Sequence, residues 1–314
     1  MAKYILKRIL AMLLTLFIIL TIAFMVVRLM PGSVYDNPEL PQSVIEALEK
    51  KAHLDKPLHI QYYYFLRNIF LNNDWGDSVK IAPAVPAFEV MKSRIPVSMQ
   101  INFISLFISL PIGIVAGTIA ALNKNKFPDY IVSLLVIICI SVPSFVFASL
   151  LQYVVSFKMG LFPLIFNATA KGVERYRSLV LPILALSFGP MATVARYLRG
   201  ELIETLSSEF MLLARTKGLT QVQATVRHAF RNSLLPLTNI IIPMFTNILG
   251  GSLVIERIFS IPGIGGIMID SINANDHSLT IAALIFYSFV SLATILVVDI
   301  SYGIIDPRIR LGGE

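Results

Sequence analysis

Charge is scarce in this chain. Only 14% of its 314 residues are Asp, Glu, Lys or Arg, where a water-soluble domain carries about 25%. That deficit excludes an ordinary globular domain and points to a protein embedded in lipid. Cysteine is scarcer still: Cys139 stands alone, so no disulfide within the chain and no cysteine-rich metal site is possible. His53, His59, His228 and His277 are scattered and form no cluster. The dipeptide Gly-Lys never occurs, which excludes a Walker A phosphate loop, and neither Gly-x-Ser-x-Gly nor His-Glu-x-x-His is present. The chain is read as having no catalytic residue, no metal and no cofactor of its own.

Hydrophobic residues make up 56% of the sequence. They gather in six runs, near 9–27, 97–122, 130–157, 179–196, 237–255 and 280–304. About 17–25 apolar residues in a helix cross a bilayer core of roughly 30 Å. The expected fold is therefore an all-α membrane protein with six transmembrane helices. The first run follows Lys3, Lys7 and Arg8 like a signal peptide, but its apolar stretch is too long and no small-x-small cleavage site follows. It is read as an uncleaved span.

The net charge of +7 does not call for nucleic acid, because Lys and Arg collect on cytoplasmic loops. Lys3, Lys7 and Arg8, Lys124 and Lys126, the basic residues of 196–231, and Arg308 and Arg310 would all lie inside. Both termini are then cytosolic. The loop near 158–178 fits less well, with Lys158, Lys171, Arg175 and Arg177 outside.

Residues 30–95 are too many for a turn and read as a small extracytoplasmic subdomain. Ser43 can cap one short helix, Pro57 can open a second, and Asn72 to Ser78 form a turn cluster. Asp74, Trp75 and Gly76 could dock an outer partner, or the subdomain could simply cap the bundle. Gly113 and Gly117 form a small-xxx-small pair that lets helices approach closely. Pro111, Pro143, Pro182, Pro190 and Pro243 are expected to interrupt spans two to five. In span five, Asn239, Thr246 and Asn247 share a side with Pro243, Gly250 and Gly251. An amide facing lipid is costly, so that side should meet protein or a watery path. Packing of small residues explains its glycines equally well. Asp299 is the clearest charge inside a span, and a nearby cation or the interface should hold it. Its isolation argues against an ion-driven carrier.

The most unusual segment is 207–236, which is polar, basic and helix-forming between two spans. Ser207 or Ser208 can cap a helix in which Phe210, Leu213, Ala214 and Lys217 share a side. Gly218 suits a left-handed helix end. Thr220 and Gln223 have capping-box spacing and open a second helix with Val222, Val226, Arg227 and Phe230. Pro236 begins the return to the membrane. Two stiff helices with a mixed apolar and basic surface suit a groove on a soluble partner; an amphipathic helix on lipid headgroups is the alternative.

Ala214-Arg215-Thr216-Lys217-Gly218-Leu219 and Arg227-His228-Ala229-Phe230-Arg231-Asn232-Ser233-Leu234-Leu235-Pro236 resemble the EAA loop of binding-protein-dependent ABC importers, most closely the oligopeptide/dipeptide permeases of B type. Leu212-Leu213-Ala214 replaces the general Glu-Ala-Ala, as is usual in the peptide branch. Asp55-Lys56-Pro57-Leu58, Asp74-Trp75-Gly76-Asp77-Ser78, Arg94-Ile95-Pro96, Glu256 to Gly265, Asp299-Ile300-Ser301-Tyr302 and Asp306-Pro307-Arg308-Ile309-Arg310 extend the resemblance over nearly the whole chain. It implies a MetI-like type I ABC importer permease fold in a bacterial cell membrane. It divides the chain into 1–29, the loop subdomain 30–95, a permease core 96–306 and a tail 307–314. The implied partners are a homologous second permease, two cytosolic ATPases that bind ATP and Mg, and an extracytoplasmic peptide-binding protein. The cargo is a peptide, or nickel, glutathione or another small solute carried by the same architecture. The coupling role falls on Phe210, Leu213, Ala214, Arg215, Lys217, Gly218, Leu219, Arg227, His228, Arg231 and Pro236.

Overall fold

A computed structural model describes residues 2–30, 33–36 and 41–305, apart from the side chains of 2–4, 246, 247 and 302–305. The Asp306 to Arg310 motif, and the tail it opens, lie outside the described residues.

The first apolar run is one helix, α1 (Ala2–Leu29). Helices α2 (Gln42–Lys51) and α3 (Leu58–Asn72) follow, then a short hairpin of β1 (Asp77–Ser78) and β2 (Val85–Pro86). Pro41, not Ser43, stands at the start of α2, and Pro57 lies just before α3. The second run lies in α4 (Ala87–Leu122), which at 36 residues is about 54 Å long. Next come α5 (Phe127–Ser141) and α6 (Ser144–Leu151), the latter continuing as a π-helix through Lys158. Then α7 (Val173–Leu206) crosses the bundle beside α4.

The third apolar run is not the straight span its length suggests. Its two halves meet at 99°. Val142 is driven to an extended conformation (φ −87°, ψ 122°) by the ring of Pro143, which also has no N–H to continue the helix. The other prolines behave differently from expectation. Pro111, Pro182, Pro190 and Pro243 all sit inside continuous helices. Among the described residues, five helical stretches are long and apolar enough to cross a membrane, and the bent pair makes six if it is one span.

The glycine pair in α4 is used as its spacing predicts. A Cβ on Gly113 would lie 2.7 Å from the Met191 carbonyl oxygen, and one on Gly117 2.7 Å from that of Ala195. The opposing atoms are backbone and cannot yield. Ser105, Ser109 and Ser187 hydrogen-bond across the same seam. Gly117→Leu should therefore force α4 and α7 apart, costing about 1–3 kcal/mol or more. A lowered melting temperature in detergent would show it; an unchanged one would mean the seam is looser than these distances say.

The remaining elements are α8 (Glu209–Thr216), α9 (Gln221–Ala224), a π-helical stretch Thr225–Ala229, α10 (Phe230–Thr246), a 3₁₀ turn Asn247–Gly250, α11 (Leu253–Ile258), α12 (Ile267–Asn273) and α13 (His277–Ile305). Contacts fix which ends lie together. The start of α4 packs with Ile264 and Leu279 beside the hairpin, and Ile69 of α3 packs with Val27 and Ile281. At the other end, Ala121 and Leu202 meet α8, and Arg8 reaches Asp299. The small subdomain and the 207–220 loop therefore cap opposite ends of the bundle.

Candidate coupling surface

The loop from Ser207 to α10 is built from short, well-terminated pieces. Ser208 precedes α8, but its hydroxyl donates to the Thr205 carbonyl and caps nothing. The end of α8 is better defined. Gly218 has φ +91°, Gly218 N–H donates to Arg215 O at 3.0 Å, and Leu219 N–H to Ala214 O at 3.3 Å. This pair of bonds is the Schellman pattern, which only a left-handed residue completes at low cost. Leu219 then packs on the cluster around Leu202. The capping box is complete: Gln223 N–H donates to Thr220 Oγ1, and Thr220 N–H to Gln223 Oε1.

Met211 and Ala214 turn inward, with Ala224 and Ala229, onto Leu202 and Ala121. Ala214 thus anchors the loop and does not share an open side with Phe210. The outward positions are Phe210, Leu212, Leu213, Val222 and Val226, each between 42% and 72% exposed. Arg215, Lys217, Arg227, His228 and Arg231 are exposed around them. Apolar side chains on a basic rim, held on a rigid base, form a surface fit to enter an apolar groove on a partner with an acidic edge.

The second helix of the loop does not stop where the sequence suggested. Pro236 lies within α10, and Gln221–Gly250 is one continuous helical stretch of 30 residues, about 45 Å long. The outward valines stand on the first turns of a rod that is also span five. Ser233 Oγ bonds Thr205 Oγ1 at 3.0 Å, tying that rod to the end of α7. Of the three residues expected to line a path, Asn239 is exposed on α10. The side chains of Thr246 and Asn247 lie outside the described residues.

At the far end of the rod the chain turns through Gly250 and Gly251 into a cradle around Glu256. This carboxylate is buried. It accepts from Ser98 Oγ at 2.6 Å, Gly265 N at 2.8 Å and Ser252 N at 3.2 Å. Burial raises its pKa, and these hydrogen bonds partly oppose the rise. A Cβ on Gly263 would stand 2.3 Å from Glu256 Cδ, so the glycines of 263–265 exist to let backbone close on the carboxylate. Gly263→Ala should open this cradle. Faster amide exchange over 259–266 is the expected sign, and unchanged exchange would count against the cradle.

The subdomain is fastened in a similar way. Asp276 is fully buried and accepts from Ser78 Oγ at 2.5 Å and from the N–H groups of Val79, Lys80 and Ile81 at 3.0–3.1 Å. Asp74 Oδ1 holds the Gly76 N–H at 2.8 Å, Trp75 packs into two clusters, and Gly76 lies against Ser278. Asp74 is exposed, and Trp75 and Gly76 are half-buried.

Sequence reasoning missed Asp276 and Glu256 as anchors. It also missed the ion pair of Asp129 with Arg199, at 2.5 and 2.8 Å, which locks α5 to α7. A clue to the first was Asp276 three residues before Leu279 at the start of a helical run, an N-cap position. Asp299 does have the cation expected: Arg8 lies 3.2 Å away, an ion pair without hydrogen-bond geometry.

Comparison with known proteins agrees with this architecture. Residues 113–311 match the model of the binding-protein-dependent transport system inner membrane component, and residues 1–101 match that of its N-terminal region. The dipeptide transport system permease protein DppB of Lactococcus lactis subsp. cremoris is 42% identical over 311 residues, covering 99% of this chain and 100% of that one. DppB of Bacillus subtilis is 36% identical over 312 residues, 99% of each chain. The oligopeptide transport system permease protein OppB of Escherichia coli K12 is 36% identical over 311 residues, 99% of this chain and 100% of that one. Among solved structures, an amino acid ABC transporter with histidines superposes with a TM-score of 0.51 at 17% identity, covering 67% of this chain and 92% of that one; this likeness concerns the fold. With matches along nearly its whole length, the chain belongs to the family of binding-protein-dependent transport system inner membrane components.

Proposed function

We propose that this chain is a membrane permease subunit of an ATP-driven importer that carries oligopeptides or dipeptides by alternating access. One observation carries the reading: a capped, outward apolar surface stands on the first turns of a helix that continues across the membrane. Two cytosolic ATPases dock on this loop and on that of a homologous sister permease. A peptide-binding protein delivers cargo at the opposite end. Both termini and the 207–236 loop face the cytosol. ATP and Mg belong to the ATPases, and this chain contributes no catalytic group.

The mechanics follow from the contacts. A force on Val222 and Val226 is passed along the rod, because the helical backbone runs on from Gln221 to Gly250 through the π turn at Thr225–Ala229. Met211 and Ala214 carry the same force to the ends of α4 and α7. The rod ends beside the Glu256 cradle, where Asn102 Nδ2 donates to Ile248 O at 3.2 Å. Closure of the ATPases at one end is thereby felt at the other. Asn239, exposed on the rod, belongs to the side that meets the path or the sister subunit.

The test is uptake of labelled dipeptides into proteoliposomes holding the assembled complex. ATP-dependent uptake that needs the binding protein supports the reading. Uptake by this chain alone, driven by an ion gradient, would end it. Uptake of nickel or glutathione in place of peptide would keep the mechanism and change the cargo. Gly218→Val sharpens the test. A Cβ there meets nothing within 4 Å, so the cost is purely backbone, about 1–3 kcal/mol. Coupling should fall in Gly218→Val and survive in Gly218→Asn, which tolerates positive φ. Equal uptake by the two variants would remove the helix end from the mechanism.

A further inference from the structure

The subdomain contains two helices of opposite character. The exposed side of α2 carries Ser43, Glu46, Lys50 and Lys51, the surface of a helix in water. That of α3 does not. Tyr63, Phe70 and Leu71 are 62%, 65% and 76% exposed, on one arc that also carries His59 at its start and Arg67 between the rings. The opposite side of α3 is apolar too, with Phe65, Leu66 and Ile69 packed on Leu20, Ala23 and Val27 of α1. A helix that is apolar on both sides is covered on both.

Its depth is set by what it touches. Tyr62 hydroxyl and Thr21 Oγ1 are 2.7 Å apart, and Phe24 meets Tyr62 and Phe65 with ring centroids 5.2 and 4.8 Å apart. Thr21 and Phe24 lie inside the apolar span Ile5–Leu29. That span is about 37 Å long, against a hydrocarbon core of roughly 30 Å. Thr21 is eight residues short of its end, about 12 Å along the axis; the span overhangs the core by about 4 Å at each end, so Tyr62 of α3 reaches α1 within the outer part of the acyl chains. Ile18, Ile22, Val26 and Leu29 on the free face of α1 are exposed and apolar at the same level, so the lipid-facing surface of α1 runs on into that of α3.

We propose that α3 is an interfacial helix lying in the membrane surface, with Tyr63, Phe70 and Leu71 in phospholipid. Tyr63 and Phe70 sit where ring systems collect at membrane boundaries. Arg67 extends its guanidinium to the phosphates while its stem stays among the acyl chains. The subdomain is then held at a fixed height and tilt, with α2 above it in water. This inference rests on membrane residence and does not depend on what is transported.

Spin labels read the depth directly. In a Cys139→Ser background, cysteines are placed singly at Phe70, Leu71 and Glu46, and the full chain with its co-purifying subunits is returned to phosphatidylglycerol/phosphatidylethanolamine vesicles. Labels at 70 and 71 should be relaxed by oxygen and shielded from a water-soluble nickel chelate, giving an oxygen-to-nickel ratio several-fold above that at 46. Two labelled positions guard against one substitution disturbing the helix. Nickel accessibility at 70 and 71 equal to that at 46 overturns the proposal, because the face is then in water. Labels at both positions shielded from both agents overturn it as well, because another protein chain then covers them.

Discussion

A Leu213→Asp/Val226→Asp double variant will insert and fold like its parent and will lose its soluble partner. Both side chains are more than half exposed, so neither substitution disturbs the packing beneath. Met211, Ala214, Ala224 and Ala229 hold the loop to the bundle from the other side. Central apolar anchors of an interface contribute about 2 kcal/mol or more each, so losing two weakens docking by about 4 kcal/mol, roughly a thousandfold. The added carboxylates also bring charge into a surface whose rim is basic, reversing its match to an acidic edge. Co-purification of the ATPases and substrate-stimulated hydrolysis should both fail, while the melting temperature of the chain stays near that of the parent. If the ATPases still co-purify, the apolar face points at something else, and an amphipathic loop lying on headgroups becomes the better description.

Arg199→Leu should give the largest loss of stability. Asp129 is 2% exposed, and two of its bonds come from the fork of Arg199. Asn125 N–H at 2.9 Å and Ser133 Oγ at 3.3 Å would remain. Those cannot compensate a full charge; breaking one partner of a fully buried pair costs about 3–5 kcal/mol, and because Arg199 is 32% exposed the loss should fall at or below the low end of that range. The double variant Asp129→Leu/Arg199→Leu should recover most of that loss, since no buried charge is then left unpaired. Thermal denaturation of the three proteins in one detergent decides it. A single variant as stable as the parent would mean that water reaches Asp129. A double variant no better than the single would mean that the pair sets the angle between α5 and α7 and does more than neutralise itself.

Some of the coupling surface was legible because it is local. Gly218 at the end of a helical pattern, and Thr220 three residues before Gln223, are signals written within one turn of chain. Short-range geometry carries them into the fold unchanged. The side each residue takes was less legible. Phe210, Leu213 and Ala214 fall together on a helical projection, yet Ala214 is the one drawn inward. The neighbour that draws it, Leu202, comes from the preceding span, and only the folded chain brings the two together. Proline was overread for the same reason. Whether it breaks a helix depends on what satisfies the freed carbonyl, and Pro143 breaks its run while Pro182, Pro190 and Pro243 do not.

By itself the sequence determined the lipid environment, the number and rough position of the apolar runs, and the shape of the loop ends. Each follows from composition or from neighbours along the chain. Tertiary structure alone decided that the loop's second helix and span five are one rod. It also paired Arg199 with Asp129, seventy residues away, and let Asp276 and Glu256 gather backbone N–H groups around buried carboxylates. A charge in a low-dielectric interior must find its partner wherever the fold brings one, and distance along the chain says nothing of that.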